Sequence, residues 1–415
     1  MSEPMNVSQP IACRSCGHVD LQNVLSLGRT PLANALLTEK QLGEQEETYP
    51  LELAFCSNCS LVQITETVSP EKLFREYVYL SSFADTMLKH AEALSAQLIA
   101  SRSLGAESLV VEVASNDGYL LQYYKRAGVP VLGIEPATNV AQIAGERHGI
   151  PTICDFFDEQ LAEHLREEGR RADVIHAHNV LAHVLDLNGF VRGLARLVKN
   201  DGVIVVEVPY VKEMIDRCEF DTVYHEHLSY FSLTALNALF SRHALVIQKV
   251  ERLPIHGGTL RVYAGLQQSN DEQSVAELLS EEASWGVNVV SFYNGFGSQV
   301  ERLRDELVTL LRRLKAEDKR IAVYGASAKG STLLNYCGIG RETLDYVIDR
   351  STLKQGLYTP GTHLQIHAPE KLLEDLPDYV LLLTWNFAME ILEQQSEYRA
   401  RGGRFIVPVP AVKVI

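Results

Sequence analysis

Leu109-Val110-Val111-Glu112-Val113 runs directly into Ala114-Ser115-Asn116-Asp117-Gly118-Tyr119-Leu120-Leu121. A short apolar run broken by one acid reads as a buried strand, and the small residues after it read as a turn that opens a helix. Such a turn lets a ligand approach the backbone closely and sets it at the positive end of the helix dipole. Ala114 and Asn116 stand where a dinucleotide fingerprint has glycines, with only Gly118 remaining, so that fingerprint fails.

The same rhythm continues downstream. Val131-Leu132-Gly133-Ile134-Glu135-Pro136 is a second apolar strand ending in an acid, at the distance expected for a carboxylate on ribose hydroxyls. Pro151-Thr152-Ile153-Cys154-Asp155-Phe156-Phe157 offers a third strand end with an acid and aromatics suited to adenine. Ala172 to Val180 is a fourth strand, ending in His178-Asn179, and Gly202 to Tyr210 is a fifth with a proline exit. Strand alternating with helix in this way predicts a doubly wound α/β sheet. Singly, Glu135 or Asp155 reads equally well as a cap or turn residue, and Asn179 as the cap of the next helix. Their placement at successive strand ends is what joins them into one site.

The chain has 415 residues, 46% of them apolar, 22% charged, with a net charge of −15. That length predicts more than one domain, and the acidic balance argues against nucleic acid as a partner. No run reaches the ~20 apolar residues of a membrane span, and the polar start lacks a signal peptide's basic flank and apolar run, so a cytoplasmic protein is expected. Four of the seven cysteines form two Cys-x-x-Cys pairs, Cys13/Cys16 and Cys56/Cys59. Each pair aims two thiolates at one point, and together they are expected to make the closed tetrahedral shell of a structural zinc site, reduced structural cysteines being the other reading. Phe74 to Phe83 follows, dense in aromatic and hydroxyl groups, with Tyr77 and Tyr79 able to line a pocket from one face and Ser81 and Ser82 suited to a turn or a diphosphate.

Tyr224-His225-Glu226-His227-Leu228-Ser229-Tyr230 crowds two imidazoles, a carboxylate and two phenols into one stretch, which suits proton transfer. A His-x-His metal pair is the other reading, but no third ligand of matching spacing follows. Further on, apolar residues recur every three or four positions from Phe292 through Phe296, Val300, Leu303, Leu307, Leu310, Leu311 and Leu314, predicting a long amphipathic helix between domains. Arg320 to Thr332 is then a second strand, small-residue turn and helix start, and Leu344 to Asp349 a strand ending in an acid.

The degenerate first turn, the acids on the second and third strands and the Asn on the fourth resemble class I S-adenosylmethionine-dependent methyltransferases. The paired Cys-x-x-Cys, EVASNDGYLL, HNVLAHV, FDTVYHEHLSYF and VYGASAKGSTLLNY together resemble the sugar C-methyltransferases that act on nucleotide-linked ketosugars, across nearly the whole chain. The resemblance implies a zinc-binding domain (1–72), an S-adenosylmethionine domain (73–285) and a C-terminal Rossmann-like domain (286–415) that adds to the sugar-nucleotide site. It implies methylation at carbon 3 of a 4-keto-deoxysugar on thymidine or guanosine diphosphate. His227 would be the base, a choice over His225 that rests on the resemblance, with Glu226 orienting or charging it. Tyr224 and His183 would polarise the ketone or contact sugar hydroxyls, and Tyr79 would close the pocket. Cofactor contacts are expected from Glu112, Ala114, Asn116, Gly118, Tyr119, Leu120, Glu135, Pro136, Asp155, Phe156 and Asn179. Substrate contacts are expected from Tyr77, Ser81, Ser82, Arg261, Ser327, Lys329 and Asn386, with Ser327 and Lys329 meeting a diphosphate. Arg261 also reads as a surface residue and Asn386 as a helix cap. A monomer or small homo-oligomer is expected. The alternatives are a sugar-nucleotide epimerase or oxidoreductase and a non-enzymatic zinc-containing interaction protein. Neither Rossmann-type unit has the intact glycine fingerprint and no Tyr-x-x-x-Lys pair is suitably placed, while an interaction protein leaves the acid-base segment unexplained.

Overall fold

The computed structural model of the chain describes residues 11–74, 80–268 and 272–415, so Tyr77 and Tyr79 lie outside the described residues. Strands β1 (Leu21–Thr30), β2 (Tyr49–Cys56) and β3 (Val62–Ile64) form an antiparallel sheet. A two-residue strand from far downstream, β9 (Ser229–Tyr230), completes it in the order β1-β2-β3-β9. The acid-base segment is therefore sewn into the N-terminal sheet.

The second sheet contains β4 (Val110–Val113), β5 (Val131–Ile134), β6 (Thr152–Ile153), β7 (Ala172–His178), β8 (Val198–Pro209), β10 (Val246–Leu253) and β11 (Thr259–Gly265). Its order is β10-β11-β8-β7-β4-β5-β6, with β4 to β8 parallel and β11 antiparallel to both neighbours. Helix Asp85–Arg102 leads into β4, and helices such as Thr138–His148 and Leu187–Leu197 connect the strands that follow. Cover on both faces explains why β4 and β5 read as continuous apolar runs rather than alternating ones. This is the class I methyltransferase sheet expected from the strand ends.

The third sheet holds β12 (Ile321–Tyr324), β13 (Val347–Ile348), β14 (Ile366–His367), β15 (Tyr379–Leu382), β16 (Arg404–Val407) and β17 (Lys413–Val414), ordered β14-β13-β12-β15-β16-β17. Only β17 runs antiparallel to its neighbour. The expected amphipathic helix spans Phe296–Ala316 and starts after Gly295, whose φ of 107° breaks the chain away from the preceding turn holding Phe292. Its buried stripe, Phe296, Val300, Leu303, Leu307, Leu311 and Leu314, shares one core with Leu25 and Phe55 of the N-terminal sheet and with Leu333 and Leu334 of the last domain. At roughly 1.5–3 kcal/mol per fully buried large apolar side chain, this shared core ties the first and last segments of the chain together. No helix among the described residues is long and apolar enough to cross a membrane.

Candidate active site

The carboxyl ends of β4, β5, β7 and β8 open onto one cavity of about 900 Å³, and the carboxyl end of β12 together with the residues just beyond β13 and β15 borders the same space. Ligands of open α/β sheets bind outside the strand carboxyl ends, and here two sheets share that space.

At one end lie Ala114, Asn116, Tyr119, Glu135, Pro136, Phe156 and Asn179. The first turn keeps a glycine-type path without the glycines: φ is 54° at Ala114, 49° at Asn116 and 79° at Gly118. Glu135 accepts from the amides of Asn116 and Ala137, both at 2.9 Å, one on each carboxylate oxygen. Each oxygen keeps a second lone pair, as a ligand of two ribose hydroxyls requires. Burial pushes the Glu135 carboxyl up to about 7, against the pull of those two amides. Beneath it Glu112 is fully buried and raised well above the usual carboxylate range by that burial and by Asp117, Glu135 and Glu207 nearby. This end of the cavity is acidic.

Several expected cofactor contacts lie elsewhere. Glu112, Gly118 and Leu120 do not line the cavity; a Cβ on Gly118 would meet Ile150 at 2.9 Å, and Leu120 is core. Asp155 is exposed and accepts from the amide of Phe156; the neighbouring cavity acid is Asp158, which caps the next helix through Leu161 N. Ser81 and Ser82 meet the first turn rather than the second: their amides donate to Asn116 at 2.9 Å and to Asp117 at 3.4 Å. Ser81 lines the cavity and Ser82 does not.

At the opposite end lie Ser327, Lys329 and Asn386, joined by Arg350 and Lys354. The second turn repeats the first: Gly325 has φ 97°, and Asp349, at the end of β13, accepts from the amides of Ala326 and Ser351. The Ser327 hydroxyl oxygen caps its helix by accepting from Gly330 N. Among the described residues Lys329 Nζ, which is buried, has no hydrogen-bond partner; it lies 4.5 Å from the centre of the Trp385 ring. Burial lowers its pKa, opposed by Asp221 and Glu219. Trp385 donates to Asp221, whose carboxyl burial raises to about 6. Lys354 Nζ donates to the carbonyl of Ala326, bracing the turn. An ammonium with an unmet donor beside a helix N-terminus is a site for an anion.

Between these ends stand His227, Tyr224 and His183. His227 Nδ1 faces the carbonyl of Thr222 at 3.0 Å, which holds Nδ1 protonated and leaves Nε2 as the basic nitrogen, 2.8 Å from the Tyr224 hydroxyl. The His183 and His227 ring centres lie 4.7 Å apart. His183 Nδ1 pairs with the carbonyl of Glu226 at 2.8 Å, and burial lowers the ring to about 4, so it is neutral near pH 7. His225 turns away to the carbonyl of Pro50. The Glu226 carboxylate is buried outside the cavity wall and accepts from Asn34 at 2.7 Å. The carbonyl that orients His227 is thus that of Thr222.

Arg261 neither reaches the cavity nor faces solvent. It is 5% exposed, donating to Glu207 at 2.6 Å and to Glu251 at 3.1 Å, with His90 at 2.8 Å. Burial raises the Glu207 carboxyl, but His178, His90 and Arg261 outweigh it and hold the group ionised. A fully buried carboxylate on the central strand consumes the arginine opposite it in the ladder.

The four cysteine sulfurs lie within 4.8 Å of one another, with Cys13–Cys59 at 3.5 Å and Cys16–Cys56 at 3.6 Å. Four thiolates at about 2.3 Å from a zinc ion stand about 3.8 Å apart, so the cluster fits the ion and leaves no open position. Both knuckles are built alike: Gly17 N donates to Cys13 O and Ser60 N to Cys56 O, with φ of 76° and 62° at Gly17 and Ser60.

A seven-stranded class I sheet, a second α/β unit across the same cavity and a four-cysteine module define a three-part methyltransferase. Family models agree, matching a zinc binding domain over residues 13–74, a methyltransferase domain over 87–250 and a C-methyltransferase C-terminal domain over 254–410. The chain is 37% identical to the C-methyltransferase NovU of Streptomyces niveus, over 99% of this chain and 98% of that one. It therefore belongs to the C-methyltransferase family. A ubiquinone biosynthesis O-methyltransferase of Methylobacterium nodulans is 35% identical over 25% of this chain and 41% of its own length. Magnesium protoporphyrin IX methyltransferase of Synechocystis, solved with bound S-adenosylmethionine, is 13% identical with a TM-score of 0.33, over 43% of this chain and 78% of that one.

Proposed function

We propose that the protein transfers a methyl group from S-adenosylmethionine to carbon 3 of a nucleoside-diphosphate-linked 4-keto-deoxysugar. The observation that carries this is one cavity with an acidic turn at one end, a buried lysine without a hydrogen-bond partner among the described residues at the other and a histidine–tyrosine pair between them. Glu135 and the amide-lined first turn suit a ribose-bearing cofactor, and Lys329, Ser327 and Arg350 suit a diphosphate. The cofactor supplies an electrophilic methyl group on a sulfonium. Carbon 3 becomes nucleophilic only after losing its proton, which His227 Nε2 takes. As it does so the Tyr224 hydroxyl hydrogen turns from Nε2 to the ketone oxygen, which vacates the one lone pair of Nε2 for the proton and lets the new N–H donate to the Tyr224 oxygen. The bond between them inverts, coupling base and oxyanion donor. Glu226 and the neutral His183 keep the segment in place, and Glu226 lends negative charge near the imidazolium.

Zinc in the four-cysteine module is part of the proposal; metal analysis of purified protein is expected to give one zinc per chain, and zinc-free protein with four free thiols would contradict it. The reaction is tested by incubating the enzyme with 4-ketosugar nucleotides and methyl-labelled cofactor, then locating the label by NMR. Label on carbon 3 supports the proposal, and label on oxygen, nitrogen or another carbon refutes it.

A further inference from the structure

Position by position, the acid-base segment divides between two masters. Tyr224 and His227 line the cavity, while their neighbours are fastened to the N-terminal module. His225 Nε2 meets the carbonyl of Pro50 at 3.0 Å, Glu226 accepts from Asn34 at 2.7 Å, and Leu228 O accepts from Ile64 N at 3.1 Å. Ser229 and Tyr230 pair with Gln63 and Val62. Gln63 is fully buried, accepts from the amide of Arg14 and donates to the carbonyl of Ala12, the residues on either side of Cys13.

Asn34 alone among these anchors also lines the cavity. We infer that the N-terminal module is a working wall of the active site, and that Asn34 is a positioning residue that holds Glu226 and, through it, the neighbouring base His227. This rests on the reading of His227 as the base. An amide fits this role because it donates to the buried Glu226 side chain without adding a countercharge, while the Glu226 backbone carbonyl takes the Nδ1 hydrogen of His183, whose ring centre stands 4.7 Å from that of His227. A carboxylate in its place would form a pair sharing one proton, which holds together only while that proton stays.

The test compares wild type, Asn34→Ala and Asn34→Asp, each with metal content and S-adenosylhomocysteine affinity measured alongside. One readout is the single-turnover methylation rate against pH. The other is the titration of the His227 ring followed by NMR in labelled protein without sugar, assigned with His227→Asn. Expected for Asn34→Ala is a rate lower by about 10- to 100-fold at every pH, the range of a misplaced acid-base group. Asn34→Asp is expected to approach wild type at low pH and to lose about tenfold or more as pH rises and the shared proton leaves. The His227 titration shifts in both, with metal and cofactor affinity retained. Unchanged titration and rate profiles in both variants would overturn the inference, as would rate losses that track lost metal or cofactor affinity. If wild type methylates no ketosugar yet the His227 titration moves in the variants, the positioning stands and the proposed reaction falls.

Discussion

The turn after β4 and the turn after β12 are the same backbone device with different side chains around it: among the described residues, cations stand only at the second. In both, the residue leaving the strand has a positive φ, 54° at Ala114 and 97° at Gly325. In both, an acid at the end of the next strand accepts one amide from the turn and one from two residues beyond itself: Glu135 from Asn116 and Ala137, Asp349 from Ala326 and Ser351. Around the first stand Glu112 and Asp117; around the second stand Lys329, Arg350 and Lys354, with Asp221 and Glu219 near Lys329 and Glu390 against Arg350. The backbone device is neutral about its ligand, and the side chains behind it choose the sign. On the proposed function, the acidic turn takes the cofactor that carries a cation and the basic turn takes the diphosphate.

The largest effect belongs to the group where the two halves meet. His227→Asn is expected to lower methyl transfer by about 10³-fold, within the range of general-base loss, while leaving the affinity for both ligands close to wild type; single-turnover rates and calorimetry measure the two. Next come the turns themselves. A Cβ on Gly325 would stand 2.6 Å from Thr384 Cγ2, and an L side chain at φ 97° is strained. Gly325→Ala should therefore cost about 2–3 kcal/mol in thermal or denaturant unfolding. Ala114→Gly, at the equivalent point, should instead stabilise by less than about 1 kcal/mol, because it removes a Cβ from a left-handed residue.

The pH dependence of binding differs in sign between the ends. Burial pushes the Glu135 carboxyl up to about 7, and on the proposed function its ionised form is the one that accepts the ribose hydroxyls. S-adenosylhomocysteine affinity should then rise with pH, by up to about tenfold per unit, and level off above 7. Burial lowers the pKa of Lys329, and on the proposed function its charged form is the one that binds the diphosphate. Affinity for a nucleoside diphosphate sugar should fall as pH rises through that value. Calorimetry across pH checks both slopes.

What local spacing encodes was legible in the chain: the cysteine pairs, the two strand-turn-helix units, the acid at Glu135 and the helix through Leu303 and Leu314. What depends on distant partners was not. Asn34 is one polar residue in a connection, and nothing marks it for Glu226, 192 positions away. Strand β9 is two residues inside a segment already conspicuous for chemistry, so its pairing with β3 leaves no periodicity to read. Arg261 misleads because its partner, Glu207, is a buried acid in a strand, which only the ladder register reveals. Asp155 and Asp158 both follow the third strand, and only the path of the chain decides which one faces the cavity.

The division of charge between the two turns is tested most directly by calorimetry of S-adenosylhomocysteine and a nucleoside diphosphate on Glu135→Gln and Lys329→Met. Each substitution should weaken its own ligand by about tenfold or more, the loss of a charge-assisted hydrogen bond, and leave the other ligand within about twofold. If Glu135→Gln weakens only the nucleoside diphosphate, or Lys329→Met only S-adenosylhomocysteine, the two ends have been assigned the wrong way round.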